Sequence, residues 1–251
     1  SSEIIKKWFD LVLEAVTNVG FDVVAVCCDA HTANRRFYLH ELCGGSPALA
    51  ISNPHRPNHN IYLLFDVVHV FKNIYNNLLN QKEFQCPDFE GKKISAKLQH
   101  VKDIYELELG NPVKYAHKLK EKVLAPQPIE RTKVELADRF FHESTNAALE
   151  HFSRNGRPEW SETANFGTLV RNFWNAVNVR NRKLAELKRD ETRRPITAHT
   201  RSQVEFLEKF LAWVREWSES EKKGLSKPTF HALQQTVAAL IQLADYLIFE
   251  K

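Results

Sequence analysis

The chain has 251 residues, of which 43% are hydrophobic, 11% aromatic and 26% charged, enough for one large domain or two modest ones with a sizeable core. Its net charge of +4, from 35 basic and 31 acidic side chains, excludes a polybasic nucleic-acid binder, so any DNA contact must come from local clusters. No apolar run approaches the roughly 18 residues of a membrane span, and Ser1-Ser2-Glu3-Ile4-Ile5-Lys6-Lys7 lacks a signal peptide's apolar region, so an intracellular setting without a membrane partner is expected.

At the amino end, Ile5, Trp8, Phe9, Val12 and Val16 recur at helical spacing behind Ser1 and Ser2, and Gly20 stands where that helix should stop. Residues 21–28 then read as a buried strand and 35–42 as a helix ended by Cys43-Gly44-Gly45. Residues 48–52 read as a short strand or extended link, 53–60 as an Asn/Pro/His-rich loop, and 61–65 as the next buried strand. Beyond Pro87 the pattern changes. Residues 96–109, 130–152, 165–187, 203–217 and 229–249 all carry helical apolar spacing, and no strand is predicted there. The predicted fold class is α/β, then mostly α: residues 1–90 alternate helix and strand, 91–226 are all-helical and form either a second domain or a helical insertion, and 227–251 form a further helix. The composition shift lies near residues 84–97.

Two apolar runs each end in an aspartate: Val23-Val24-Ala25-Val26-Cys27-Cys28-Asp29 and Leu63-Leu64-Phe65-Asp66. Carboxylates at the carboxyl ends of buried strands are where α/β folds build metal and phosphate sites, although a strand-end Asp also serves as a helix cap. After Asp66, the residues His69, Lys72, Asn73, Asn76 and Asn77 fall along one helical stripe, while Val70, Phe71, Ile74 and Leu78 should pack. Lys72 offers a point charge to phosphate, and three asparagines on a helix imply that something is being bonded. The four cysteines, at 27, 28, 43 and 86, have no zinc-ligand spacing and read as reduced core residues. Arg180, Arg182, Lys183, Lys188, Arg189, Arg193, Arg194 and Arg201 stand against Glu186, Asp190 and Glu191, a local balance of +5 that fits either a solvated face or a DNA backbone track.

Cys28-Asp29-Ala30-His31-Thr32-Ala33-Asn34, Phe65-Asp66-Val67-Val68-His69-Val70-Phe71-Lys72-Asn73-Ile74-Tyr75-Asn76-Asn77-Leu78, Lys133-Val134-Glu135-Leu136-Ala137 and, more loosely, Lys227-Pro228-Thr229-Phe230 resemble the transposase core of the P-element family, including its THAP-domain-containing members. The resemblance implies a partial RNase H-like mixed sheet. In that fold three carboxylates hold two Mg2+ or Mn2+ ions about 4 Å apart for DNA strand cleavage and joining. Asp29 matches the second of those acids and is expected to be a catalytic metal ligand. Asp66 and His69 are expected to support the site, with Lys72 and Asn73 beside them. The strand bearing the first acid would precede Ser1 and the helix bearing the catalytic glutamate would follow Lys251. With no methionine and an apolar helix at its end, the sequence reads as an interior segment of a longer protein, and Glu250 as a solvated helix residue.

Residues 97–226 resemble the helical insertion of that family, which binds GTP. Lys133 and Val134 match a Lys-Val pair, and Phe173-Trp174-Asn175-Ala176-Val177-Asn178 resembles the stretch that embraces guanine, with Asn175 and Asn178 as base contacts. Asn175 stands where an acid is expected. An amide offers one acceptor where a carboxylate offers two, so weak GTP binding is expected, and no phosphate-cradling Gly-rich loop compensates. Arg189, Arg193 and Arg194 are the expected DNA-backbone contacts. The resemblance therefore implies part of a DNA transposase acting on transposon ends, self-associating and nuclear, with the segment alone inactive. The alternative is a domesticated or decayed relative that binds DNA, nucleotide or partner proteins without catalysis.

Overall fold

The computed structural model describes residues 1–179, 181–199, 201–220 and 223–250, the side chains of Phe249 and Glu250 excepted. The chain divides into two compact units, Ser1–Val70 with His231–Lys251, and Phe71–Phe230.

In the first unit, α1 (Ser2–Asn18) ends as the sequence predicts. Gly20 turns into the left-handed region at φ 95° and its amide bonds the Thr17 carbonyl at 2.9 Å. Strand β1 (Ala25–Cys28) is shorter than the predicted 21–28. The next helix starts earlier than expected, as α2 (Thr32–Arg36), because the His31 ring caps it by accepting from the Ala33 amide. It continues as a π-helical turn, Phe37–Leu42, in which the Cys43 amide reaches the Tyr38 carbonyl. Strand β2 (Ala50–Ser52) pairs antiparallel with β3 (Asn60–Phe65), and β3 pairs in parallel with β1, giving the order β1-β3-β2. The central strand is the most buried: Ile61, Leu63 and Phe65 are no more than 1% exposed. Thr236 clamps its carboxyl end, accepting from the Phe65 amide at 2.9 Å and donating to the Phe65 carbonyl at 3.2 Å.

Helix α3 (Val67–Gln81) begins directly after Asp66 and runs across the division between the units. In the second unit it is followed by a β-hairpin, β4 (Glu83–Pro87) and β5 (Lys93–Lys97), paired antiparallel from Pro87↔Lys93 to Glu83↔Lys97. The turn is closed by Asp88, whose Oδ1 accepts from the amides of Glu90 and Lys92, with Gly91 at φ 79°. β5 corrects the all-helical reading of residues 91–226. Its buried face is only Ile94 and Ala96, too short an alternation to announce a strand.

Helices α4 (Leu98–Leu107), α5 (Glu121–Leu124), α6 (Val134–Phe140), α7 (Glu143–Arg154), α8 (Trp160–Val177), α9 (Leu184–Lys188), α10 (Ser202–Ser220) and α11 (Lys227–Asp245) follow. The predicted helix 130–152 is in fact two. His142 breaks it, its Nδ1 accepting from the Ser144 amide at 3.1 Å to cap α7. The predicted helix 165–187 likewise stops at Val177 and resumes at Leu184. Trp213 and Trp217 of α10 donate indole N–H groups to the carbonyls of Pro87 at 2.6 Å and Gln85 at 2.8 Å, so the hairpin is fastened by two otherwise apolar side chains. α7 and α8 approach closely at Gly167, where an added Cβ would stand 2.2 Å from Asn146 Oδ1.

Candidate functional site

Parallel pairing of β1 and β3 puts Cys28 opposite Phe65, so the residues that follow, Asp29 and Asp66, emerge side by side at the carboxyl edge of the sheet. The Asp66 amide donates to the Cys28 carbonyl at 2.8 Å and fixes that juxtaposition. Each carboxylate uses one oxygen for local structure. Asp29 Oδ1 accepts from the His31 amide at 2.9 Å and from Asn34 Nδ2 at 2.8 Å. Asp66 Oδ1 accepts from the Val68 amide at 2.8 Å and caps α3. The second oxygen of Asp29 has no hydrogen bond among the described residues, and that of Asp66 lies 3.8 Å from His69 Nε2.

The His31 amide, together with the Asn34 side chain and the nearby His69 and His31 rings, holds Asp29 below its ordinary value, so it is ionised at neutral pH. Burial pushes the neighbouring Cys28 thiol up to about 11, which keeps it protonated at neutral pH. Two carboxylates and one imidazole are too few anionic ligands to hold two divalent cations close together, and no cluster of three or more His, Cys, Asp or Glu side chains is arranged to hold a metal among the described residues. A Mg2+ or Mn2+ pair thus does not fit these residues alone.

The α3 stripe is half-buried as expected, with Val70, Phe71, Ile74 and Leu78 in the core. Its asparagines hold other parts of the second unit. Asn76 Nδ2 donates to the Arg131 carbonyl at 3.2 Å, Asn77 Oδ1 accepts from the Ser226 amide at 2.8 Å, and Asn80 Oδ1 accepts from Arg131 at 2.6 Å. Lys72 and Asn73 lie half-buried on the same helix.

The expected nucleotide residues lie on α6 and α8 and in the segment after it. Phe173 stacks on Phe210 at 4.7 Å and Trp174 on Phe71 at 4.3 Å, so both rings belong to the core. Asn175 is 3% exposed, and its amide donates to Asp190 Oδ2 at 3.2 Å and Thr192 Oγ1 at 3.0 Å. Lys133 is exposed at the start of α6, Val134 is half-buried beside it, and Asn178 is half-buried at the end of α8.

Of the expected DNA contacts, Arg189 is exposed at φ 52° with no ion pair among the described residues, and Arg194 pairs with Glu191. Arg193 is largely enclosed, donating to Asp190 at 2.9 Å and pairing with Glu143. Arg180 lies outside the described residues. Sequence reasoning missed the assembly around Arg193: Asp138, Glu143, Arg171, Asp190 and Thr192. The available signal was Arg171, a charge inside the apolar run of α8 that must find a partner.

Residues 68–190, just under half the chain, match the family described as the TNP-like, GTP-binding insertion domain. A Drosophila P element transposase strand transfer complex matches in structure with a TM-score of 0.79 over 95% of this chain and 52% of the transposase chain, at 22% identity. The fold is similar to that of a P element transposase. At this identity the likeness establishes fold alone, and the chain spans about half the length of the transposase chain it matches. No curated protein matches it in sequence. The resemblance read from the sequence thus has support in both fold and insertion domain at the level of P-element-like proteins.

Proposed function

We propose that the chain is part of a transposase-related protein, of the P-element type that includes THAP-domain members, which cleaves and joins DNA at transposon ends in the nucleus. The observation that carries this reading is the pair Asp29 and Asp66 on adjacent parallel strands, ordered by the Asp66 amide and the Cys28 carbonyl, in a fold similar to a P element transposase. Asp29 would be one ligand of a metal pair, with Asp66 and His69 supporting it. The remaining oxygens must come from elsewhere in the full-length protein, so the 251-residue chain alone is expected to be inert. A metal pair bound there would supply Lewis-acid activation and charge stabilisation for phosphoryl displacement. What these residues contribute is orientation: the His31 amide and Asn34 fix one oxygen of Asp29 and hold the carboxylate ionised at the sheet edge.

The insertion-domain match supports guanine nucleotide binding by the second unit, and Arg189 is its exposed candidate for DNA backbone contact. The test is a nicking and strand-joining assay with full-length protein, transposon-end duplex and Mg2+ or Mn2+. Activity lost in Asp29→Asn with DNA binding retained supports the reading. Unchanged activity in that variant overturns the assignment of Asp29. DNA binding without cleavage by the parent itself identifies the non-catalytic relative.

A further inference from the structure

α4 ends in a buried carboxylate that holds the turn leading to α5. Glu108 is 2% exposed, and its two oxygens accept from consecutive amides, Tyr115 at 2.8 Å and Ala116 at 3.0 Å. With its carboxylate bonded to those amides, the turn has a fixed course rather than the freedom of an open loop. Ala116 and Leu119 point inward at 2% and 5% exposed. The residues between and around them are displayed: Val113 is 85% and Tyr115 57% exposed, and His117, Lys118, Lys120 and Lys122 are all exposed. Tyr115 stacks on His151 with ring centroids 4.5 Å apart, and His117 meets His142 at 5.7 Å, so the turn lies along α7 with one ring pair near its last turn and one at its cap.

We propose that this turn is a binding surface for single-stranded DNA: Tyr115, backed by His151, offers a stacking face to the bases, and Lys118, Lys120 and Lys122 follow the phosphates. This rests on the DNA-binding reading above and moves the contact away from Arg189, Arg193 and Arg194. A large apolar side chain that serves only the fold is ordinarily turned inward, whereas here a buried anion fixes the backbone that turns Val113 and Tyr115 out. Residues 113–122 carry four lysines against one acid, Glu121.

Lys118, Lys120 and Lys122 make no ion pair among the described residues, whereas Arg193 and Arg194 of the other basic segment are held by Glu143, Asp190 and Glu191. The turn therefore keeps cations available to phosphate where the other segment has neutralised them. The rings decide between single strand and duplex. In a duplex each base is stacked on its neighbours, and only an unpaired strand can lay a base face on a protein ring. Stacking of this kind tolerates any sequence, because every base has such a face.

The experiment is fluorescence anisotropy of a labelled oligothymidylate and of a labelled duplex of equal length, titrated with the 251-residue chain at several salt concentrations. The parent should bind the single strand more tightly than the duplex. Tyr115→Ala should lose about tenfold in affinity for the single strand and leave the duplex unchanged, while Tyr115→Phe retains both. Lys118→Gln, Lys120→Gln and Lys122→Gln combined should lower the slope of log affinity against log salt by about 0.7 for each lost contact, and Arg189→Gln should leave single-strand binding as it is. Equal single-strand affinity in the parent and Tyr115→Ala, or an unchanged slope in the lysine variant, would overturn the surface. Duplex binding without single-strand binding would overturn it while leaving the DNA reading standing. Binding of neither form would remove the DNA reading of the second unit together with the surface. Should melting curves show Tyr115→Ala unfolded, Tyr115→Leu decides, because it still packs against His151 but has no flat face for a base.

Discussion

The two units treat their carboxylates in opposite ways. At the sheet edge of the first, Asp29 and Asp66 each give one oxygen to local backbone amides, while the other makes no hydrogen bond among the described residues. In the second, Asp190 has both oxygens occupied, and Arg193 and Arg171 bind the neighbouring acids Glu143 and Asp138. The same residue type is open for chemistry in one place and part of the scaffold in the other. What separates them is whether a buried cation or amide stands nearby. A half-buried, half-used carboxylate contributes little to folding and can be given to function, whereas one bonded to buried donors cannot be removed without leaving those donors unpaired.

The largest break in that contrast should come from Asn175→Asp. It removes both donors to Asp190 and Thr192 and places a second carboxylate against Asp190, so a loss of about 3 kcal/mol is expected in urea unfolding. Restored guanine recognition at no cost in stability would instead support the sequence-level placement of Asn175 as a base contact. Arg171→Ala should cost about 2 kcal/mol, less than the ~3–5 of a fully buried pair because Asp138 and Glu143 are half-exposed. In the first unit, Asp66→Ala should cost about 1 kcal/mol through loss of the α3 cap. Asp29→Asn keeps its acceptor oxygen and should change stability by less than about 0.5 kcal/mol.

The smallest effect is a pH dependence. Burial lowers His100 and His142 in the second unit and His231 in the first below their ordinary value of 6.5. Over the window from 6.5 down to the lowered folded values, the unfolded chain binds more protons than the folded one. The stability of the neutral form is therefore full above 6.5 and declines as pH falls through that window. Chemical denaturation between pH 5 and 8 should show this decline, and His100→Gln should reduce it.

The first unit was largely legible in the sequence because its runs are continuous and punctuated by Gly20, Gly44, Gly45 and the two aspartates. Periodicity could not show β5, whose buried face is two residues, or the break at His142, where a ring nitrogen replaces the usual cap. Two of the asparagines on α3, Asn76 and Asn77, bond Arg131 and Ser226, which lie 55 and 149 residues away along the chain, beyond the reach of local patterning. Arg193 read as a DNA contact for the same reason: its charge is visible in sequence, whereas its enclosure by Glu143, 50 residues earlier, is not.

The contrast itself can be tested by titrating Mn2+ into the 251-residue chain and following paramagnetic broadening of assigned backbone amides. Weak, millimolar binding at the open edge is expected, with broadening confined to the residues around Asp29, Asp66 and His69, abolished in Asp29→Asn, and absent around Asp138, Glu143 and Asp190. Broadening centred on Asp190 and Glu143, or no broadening at Asp29, would contradict the claim that the acidic edge of the sheet is the part of this chain left open to a cation.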